Sequence, residues 1–159
     1  MKRILSLLML LALASSGFSN VNVPDLSGTW VLDETKAYAA TRLTLVKVDV
    51  EQTADSLTLT RHYRDPRNAE VTLKEVLPFD GKAFHMEYQG IPRKSSILSG
   101  EEDNAIVIEI VITMTRNNET REGITRETWK RENDVLTLTR VNPSIPDDTP
   151  LVYVYNRQK

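Results

Sequence analysis

After residue 26 the chain alternates between apolar and polar residues in short stretches. In one of them, Leu57, Leu59 and Tyr63 occupy one face and threonines occupy the other. A period of two is typical of strands that bury one face and expose the other. Turn residues separate these stretches, and the whole pattern predicts ten strands. Their ranges are 27–33, 43–52, 56–64, 69–78, 83–88, 93–98, 105–115, 122–132, 135–142 and 150–157.

The connections between these strands are short, which favours strands that run up and down as antiparallel neighbours. An open sheet of ten strands would leave two exposed edges, and closure into a barrel removes them. We therefore expect an all-β, antiparallel up-and-down barrel of about eight to ten strands. A β-sandwich is the alternative, and only segments 143–149 and 34–42 have the length for its crossing connections. Residues 34–41 predict one short helix, and Asp80-Gly81 is the sharpest hairpin signal.

The first 20 residues have the layout of a secretory signal peptide. Lys2 and Arg3 precede an apolar run from Ile4 to Ala14, which only Ser6 interrupts. The run ends in the small-residue pattern Ala12-Leu13-Ala14, which is typical of a cleavage site, and Gly17-Phe18-Ser19 is a second candidate. It is shorter than the roughly 20 apolar residues that span a bilayer. An N-terminal anchor or a buried helix is the alternative interpretation of this segment.

Composition narrows the range of functions. The chain has 20 Lys+Arg and 22 Asp+Glu, a net charge of −2, which becomes −4 without the two cations of the leader. This sign disfavours nucleic-acid binding. The absence of cysteine excludes disulfides, thiolate metal sites, a cysteine nucleophile and a lipidated cysteine. Cleavage after residue 19 would leave 20–159 as a single domain without a membrane span, and we expect it to be periplasmic or secreted in a bacterium.

Two short motifs resemble those of a known family. Gly28-Thr29-Trp30 stands at the start of the first predicted strand, and the last strand ends in Tyr-x-Tyr-x-Arg at 153–157. The opening resembles the Gly-x-Trp of lipocalin-like (calycin-type) barrels, and the layout of 25–157 is similar to that of uncharacterised exported bacterial proteins with this fold. The resemblance implies a small ligand-binding barrel whose closed end is plugged by Trp30. It also implies a late arginine against the Trp30 ring, for which Arg140 and Arg157 are both candidates.

Aromatic, methionine and a few charged side chains are the candidates for contacts with a ligand, because they fall on faces that alternation turns inward. Small-molecule pockets are mostly apolar and carry a few polar anchors. The alternative is that the same side chains fill the barrel solidly. The candidates are Trp30, Arg61, Tyr63, Phe84, Met86, Tyr88, Met114, Glu127, Trp129, Arg140, Tyr153 and Tyr155. If the face of Glu127 is internal, this carboxylate needs a cationic partner, and arginine is the expected one.

No catalytic residue, metal ligand or cofactor is assigned from the sequence. The chain has no Gly-x-Ser-x-Gly motif, and its two histidines, His62 and His85, alternate against apolar residues and are expected on wet faces. The alternative places both histidines in the lumen as metal or haem ligands. The acidic runs at 101–103 and 147–148 lack the spacing of a calcium loop and are interpreted as solvated turns.

These observations support three hypotheses of function. The first is an exported barrel that binds a small apolar or amphipathic molecule, and an open lumen would favour it. The second is an envelope or protease-inhibitor-type barrel that binds a protein partner, which an exposed, ordered apolar segment at 21–24 would favour. The third is a barrel isomerase or cyclase, which requires a buried polar cluster of perturbed acidity, for example around Glu127 or His85.

Overall fold

The computed structural model of the chain describes residues 23–36, 43–98 and 104–159. The expected leader at 1–19 lies outside these residues, as does most of the expected helix at 34–41, of which only a 3-10 turn at Glu34–Lys36 is described. The described chain forms ten antiparallel strands in a nearly closed barrel, which confirms the predicted fold class. They are β1 Gly28–Leu32, β2 Thr44–Gln52, β3 Ser56–Arg64, β4 Glu70–Pro78, β5 Phe84–Tyr88, β6 Ile91–Leu98, β7 Ile106–Arg116, β8 Glu119–Glu132, β9 Val135–Val141 and β10 Leu151–Arg157.

The strand order is β4-β3-β2-β1-β10-β9-β8-β7-β6-β5, so all strands that are consecutive in sequence lie side by side except β4 and β5. The first and last strands, β1 and β10, pair directly, with Trp30 opposite Arg157. The strands β4 and β5 end the order and share no backbone ladder. The barrel therefore has one gap, and β4 faces β5 and β6 across it.

The hairpin expected at Asp80-Gly81 is wrong as a strand pairing, although the turn itself forms. Gly81 has a φ of 79°, and its N–H donates to the carbonyl of Pro78 at 3.3 Å. The N–H of Phe79 instead donates to the carbonyl of Asp55 at 2.9 Å, which holds the end of β4 against the turn between β2 and β3. The chain then crosses the gap, and β5 pairs with β6 alone.

One end of the barrel is filled by a solid apolar core around Trp30, and we call it the Trp30 end. The Trp30 indole is fully buried and donates to the carbonyl of Leu26 at 2.8 Å. The guanidinium of Arg157 lies 5.6 Å from the centre of its ring, and that of Arg131 lies 5.8 Å from it. Of the two expected arginines, Arg157 is therefore the one that packs on Trp30, and Arg131 is an additional one that the sequence did not single out.

Glycine at position 28 makes this packing compatible with the backbone. Gly28 has a φ of 136°, which L side chains rarely adopt, and a Cβ at this position would lie 3.0 Å from Nε of Arg157. The same arginine donates from Nη2 to the carbonyl of Ser27 at 2.8 Å. Gly28 thus lets the guanidinium lie against the backbone and the Trp30 ring together.

At the opposite end, which we call the open end, β7 and β8 extend past their neighbours. Ladder pairing between β6 and β7 stops at Ile112, and pairing between β8 and β9 stops at Arg126. Residues 113–123 therefore form a two-stranded arm, joined at Asn117-Asn118, where both φ values are positive as in a tight hairpin turn. No helix among the described residues is long and apolar enough to cross a membrane.

Candidate functional site

A cavity of about 260 Å³ occupies the open end of the barrel. Its wall is contributed by strands on both sides of the gap and by the base of the arm. It is mostly apolar, with three charged side chains. The lining residues are Leu43, Tyr63, Leu73, Tyr88, Ile91, Arg93, Ile110, Ile112, Thr125, Glu127 and Arg140. Four of them, Tyr63, Tyr88, Glu127 and Arg140, are among the candidates from the sequence.

Glu127 is the centre of the first half of a buried charge network. Arg61 donates from Nη1 to Oε2 of Glu127 at 2.7 Å, and Trp129 donates from Nε1 to the same oxygen at 3.2 Å. Arg140 donates from Nε and Nη2 to Oε1 at 3.2 and 2.7 Å. The guanidinium of Arg61 also lies 5.1 Å from the centre of the Trp129 ring. The arginine partner that a buried Glu127 was expected to need is therefore present twice.

Glu75 is the centre of the second half. Arg61 donates from Nε to Oε2 of Glu75 at 2.8 Å, so one arginine joins both carboxylates. Arg93 and Ser95, both on β6, donate from Nε and Oγ to Oε1 at 2.9 and 2.8 Å. Because Glu75 lies on β4, these bonds cross the gap. Side chains rather than a backbone ladder link the two edges of the barrel at this level.

The strand pattern forces these charges inward. Arg61 lies between Leu59 and Tyr63 on the buried face of β3, and Glu75 lies between Leu73 and Leu77 on the buried face of β4. Glu127 and Trp129 similarly share the inner face of β8. Since a strand cannot turn one residue outward without reversing its neighbours, each charge must find partners inside the barrel.

Electrostatics keep both carboxyls ionised. Burial acts to raise the pKa of Glu127, but the charges of Arg61 and Arg140 outweigh it and lower that pKa to about 2. Burial likewise opposes the ionisation of Glu75, and Arg61 and Arg93 lower its pKa below the ordinary value. The three arginines keep their positive charges in this setting. The network therefore contains three cations and two anions, an excess of one positive charge.

Not every donor of the network is used. Arg61 is fully buried, and its Nη2 makes no hydrogen bond with the described residues. The two bonds of Arg140 to Glu127 use Nε and Nη2, and its side chain remains about a quarter exposed at the cavity. A buried donor without a partner costs free energy, and so does an uncompensated buried charge. An anion that enters the cavity beside Arg93 and Arg140 would balance the excess positive charge.

The remaining candidates from the sequence lie away from the cavity. Trp30 belongs to the opposite end of the barrel, and Trp129 and Tyr155 are fully buried. The phenol of Tyr155 donates to the carbonyl of Leu45 at 3.0 Å, and burial raises its pKa. Arg61 belongs to the charge network but does not line the cavity. Partly buried against the core are Phe84, Met86 and Tyr153.

Met114 is the exception to the expected inward orientation. It shares a face of β7 with Ile112, but its side chain is 49% exposed. The reason is that β7 continues into the arm beyond the last residue paired with β6, so among the described strands only β8 lies beside this position. Alternation gives the correct face here and does not show where the neighbouring strand ends.

Arg93 and Glu75 are the functional candidates that the sequence did not single out. The signal for Glu75 is present, since a carboxylate interrupts the apolar face of Leu73 and Leu77. Arg93 gives no such signal, because the inner face of β6 also carries Ser95 and does not alternate clearly. Its role follows only from the gap, which brings β4 and β6 together.

The histidines lie outside the cavity. His62 is half-buried on the outer surface, with Nε2 2.8 Å from a carboxylate oxygen of Asp49 and Nδ1 3.2 Å from the hydroxyl of Thr72. His85 is exposed on β5. Within the described ranges, no group of three His, Asp or Glu side chains is placed to hold a metal ion.

The acidic run at 101–103 lies outside these ranges. Of the segment 21–24, Val21 and Asn22 are also outside them, and Val23 packs against the core.

Comparisons with known proteins add little to this geometry. No protein-family model matches the chain, and no curated protein sequence does. Among solved structures, the chain is similar to a crystal structure of a mutant of the fluorescent protein UnaG, with a TM-score of 0.44 and 18% sequence identity. The match covers 83% of this chain and 95% of that chain. The description of the fold rests on the strand order of this chain itself.

Proposed function

We propose that this chain is an exported, lipocalin-like barrel that binds a small amphipathic molecule with an acidic group. The observation that carries the proposal is the excess positive charge of the buried network, located beside a cavity with mostly apolar walls. A purely apolar ligand would leave this charge uncompensated. A carboxylate or a similar anion would balance this charge and accept hydrogen bonds from the guanidinium groups that line the cavity.

The positions of the charged and apolar residues in the cavity predict the orientation of such a ligand. The charged side chains Arg93 and Arg140 line the cavity beside Glu127, which belongs to the buried charge network. Ile112 lies opposite Arg93 at the base of the arm, and the guanidinium of Arg93 is bonded to Glu75, nearer to the Trp30 end. An acidic group would therefore enter first and lie near the two guanidinium groups, with the apolar body behind it.

The test compares three probes with the same apolar tail and different heads: decanoate, decanol and decyltrimethylammonium. Binding to the purified protein is measured by isothermal titration calorimetry at neutral pH. We expect decanoate to bind most tightly and the cation least. Equal binding of all three, or preference for the cation, contradicts the acidic-group proposal. Absence of binding by every probe contradicts the binding of small amphipathic molecules.

The variant Arg140→Gln tests the location of the acidic group. Because charge-assisted hydrogen bonds contribute about 1.5–3 kcal/mol, decanoate should lose roughly tenfold to a hundredfold in affinity, whereas decanol should change little. The matched control is Arg126→Gln, which removes an arginine from the same sheet on its outer surface, where Arg126 pairs with Glu109 at 3.0 Å. A similar loss of decanoate in both variants would point to a general charge effect rather than to the cavity.

Export is the second part of the proposal, and the layout of residues 1–20 supports it. The full chain is expressed in a bacterium, and the cell is fractionated. We expect the intact mass of the product in the periplasm or the medium to correspond to a chain that begins near residue 20. A full-length product in the membrane fraction would instead support the N-terminal anchor.

A further inference from the structure

The inner face of the arm continues the wall of the cavity. Ile110 and Ile112 of β7 line the cavity, and Met114 is the next residue on the same face. In the ladder between β7 and β8, Thr125 lies opposite Ile110, and Gly123 lies opposite Ile112. The apolar wall thus does not stop at the rim of the barrel and extends onto a surface that no other strand of residues 23–36, 43–98 and 104–159 covers.

Gly123 gives this surface its shape. A Cβ at position 123 would lie 3.8 Å from the terminal methyl of Met114. The methyl group of Met114 therefore lies over Gly123, where a larger residue would place a side chain against it. Met114 is 49% exposed although its face carries apolar residues toward the barrel. Methionine is flexible and adapts to apolar groups of varied shape.

The size of the cavity explains why a longer ligand would extend onto the inner face of the arm. A dry apolar cavity of about 150 Å³ holds one benzene molecule. By that measure, a cavity of about 260 Å³ holds roughly ten carbon atoms. An amphipathic molecule with a longer chain, its acidic group at Arg93 and Arg140, must project from the open end.

We infer that Met114 and Gly123 form a second subsite, which takes the projecting end of a long-chain acidic amphiphile. This inference rests on the proposed function, because it requires the acidic group to lie in the cavity. It names the ligand class more narrowly as molecules whose apolar part exceeds about ten carbon atoms. Chain-length preference is then determined on the arm, whereas recognition of the acidic group is determined in the ionic network.

The test uses octanoate, decanoate, tetradecanoate and hexadecanoate with the purified wild-type protein and with Met114→Gln. Below the capacity of the cavity, each added methylene should raise affinity by about fourfold in both proteins, as expected from burial of one CH₂ group. Beyond decanoate, we expect the increase to continue in wild type and to stop in Met114→Gln. For hexadecanoate the variant should bind at least about tenfold more weakly.

Three further proteins make the result specific. Met114→Leu keeps an apolar side chain and should restore the long-chain increase. Gly123→Val places a branched side chain against the methyl of Met114 and should abolish it, like Met114→Gln. The control Val135→Gln replaces an exposed apolar residue at the Trp30 end, which should leave every affinity unchanged. Thermal unfolding of each variant verifies that the fold is retained.

The outcomes separate this inference from the proposed function. If no carboxylate binds to wild type, the proposed function fails. If all four carboxylates bind and Met114→Gln changes none of them, the arm is not a subsite. If Met114→Gln weakens octanoate as much as hexadecanoate, Met114 acts on the cavity as a whole, and the inference also fails. If wild type is a dimer in solution and Met114→Gln is a monomer, the arm is a contact between two copies and the inference fails.

Discussion

Replacing Glu127 with glutamine would test whether the ionic network is as closed to water as its geometry indicates. The substitution keeps the size and the acceptor oxygen of the side chain and removes only its charge. Arg140 loses its counter-charge, and the fully buried guanidinium of Arg61 keeps only its pair with Glu75. The buried network would then contain three cations and a single anion.

Two independent arguments give the same magnitude. Removal of one partner from a buried ion pair typically costs about 3–5 kcal/mol. The pKa of Glu127 is lowered from 4.5 to about 2, and at about 1.4 kcal/mol per pKa unit this shift corresponds to about 3 kcal/mol of folding free energy. Domains of this size have a free energy of unfolding of about 5–15 kcal/mol. The variant should therefore fold, with a clearly reduced stability.

The sign of the pH dependence follows from the direction of the shift. The carboxyl of Glu127 has a lower pKa in the folded protein than in the unfolded chain, so its contribution is fully present above about pH 4.5. It is lost as the pH falls from 4.5 toward 2. The difference in stability between wild type and Glu127→Gln should be about 3 kcal/mol at neutral pH and should shrink over that acidic range.

The assay is urea unfolding followed by tryptophan fluorescence, because Trp30 and Trp129 are both fully buried and report the loss of the core. The control is Glu109→Gln. It removes a carboxylate from the pair between Glu109 of β7 and Arg126 of β8, which lies on the outer face of the barrel. This pair is partly exposed, so the control should lose about 0–1 kcal/mol. If Glu127→Gln loses no more than Glu109→Gln, the network is hydrated and the reasoning from burial is refuted.

Two further changes test how the barrel is held together at other levels. Gly28→Ala should lower the free energy of unfolding by about 1–3 kcal/mol, because the new Cβ meets Arg157 at 3.0 Å at a strained φ. Gly90→Ala, where no atom lies within 4 Å, should show only the smaller backbone effect, and equal losses in urea unfolding would contradict the role of Arg157. Tyr155→Phe should cost about 1–3 kcal/mol by leaving the buried carbonyl of Leu45 without its 3.0 Å hydrogen bond. A thermal unfolding midpoint unchanged by Tyr155→Phe would show that this carbonyl finds another donor.

Alternation predicted the strands well because most strands of this barrel bury one face. For β3 the predicted and observed bounds coincide at 56–64, and for most others they differ by one or two residues. The failures concern relations between strands. Asp80-Gly81 carries the chemistry of a turn, but turn chemistry cannot show whether the flanking strands pair. Met114 follows the correct face, but its exposure depends on where β6 ends.

The candidate site was harder to predict than the fold, and charge placement explains why. Glu127 was recognised as needing a cation, since it shares a strand face with Trp129. Its actual partners, Arg61 and Arg140, lie 66 and 13 residues away in sequence. The link between Glu75 and Arg93 requires the gap between β4 and β6, which no local pattern encodes. Single residues with buried charge are thus visible in the sequence, whereas their pairing is a property of the closed barrel.

The ionic layer is better explained by binding than by stability, and a double substitution can separate the two. Replacing a buried ion pair by apolar residues of similar volume is often neutral or stabilises a protein by about 1–4 kcal/mol. Arg61→Met with Glu127→Leu removes one cation and one anion together, so Glu75 keeps Arg93 and the excess positive charge is unchanged. We expect this protein to lose less stability in urea than Glu127→Gln, because the fully buried guanidinium of Arg61 is removed together with its anion and only the partly exposed Arg140 loses its partner.

The same double variant frees the guanidinium of Arg140, which in wild type is bonded to Glu127. Decanoate should then bind at least as tightly as it does to wild type, because it no longer competes with a carboxylate of the protein. A loss of stability as large as in Glu127→Gln, together with weaker decanoate binding, would show that Arg61 and Glu127 are needed as a structural pair. A protein more stable than Glu127→Gln that binds decanoate more tightly than wild type would show that Glu127 competes with the ligand for Arg140 and that the barrel folds without the Arg61–Glu127 pair.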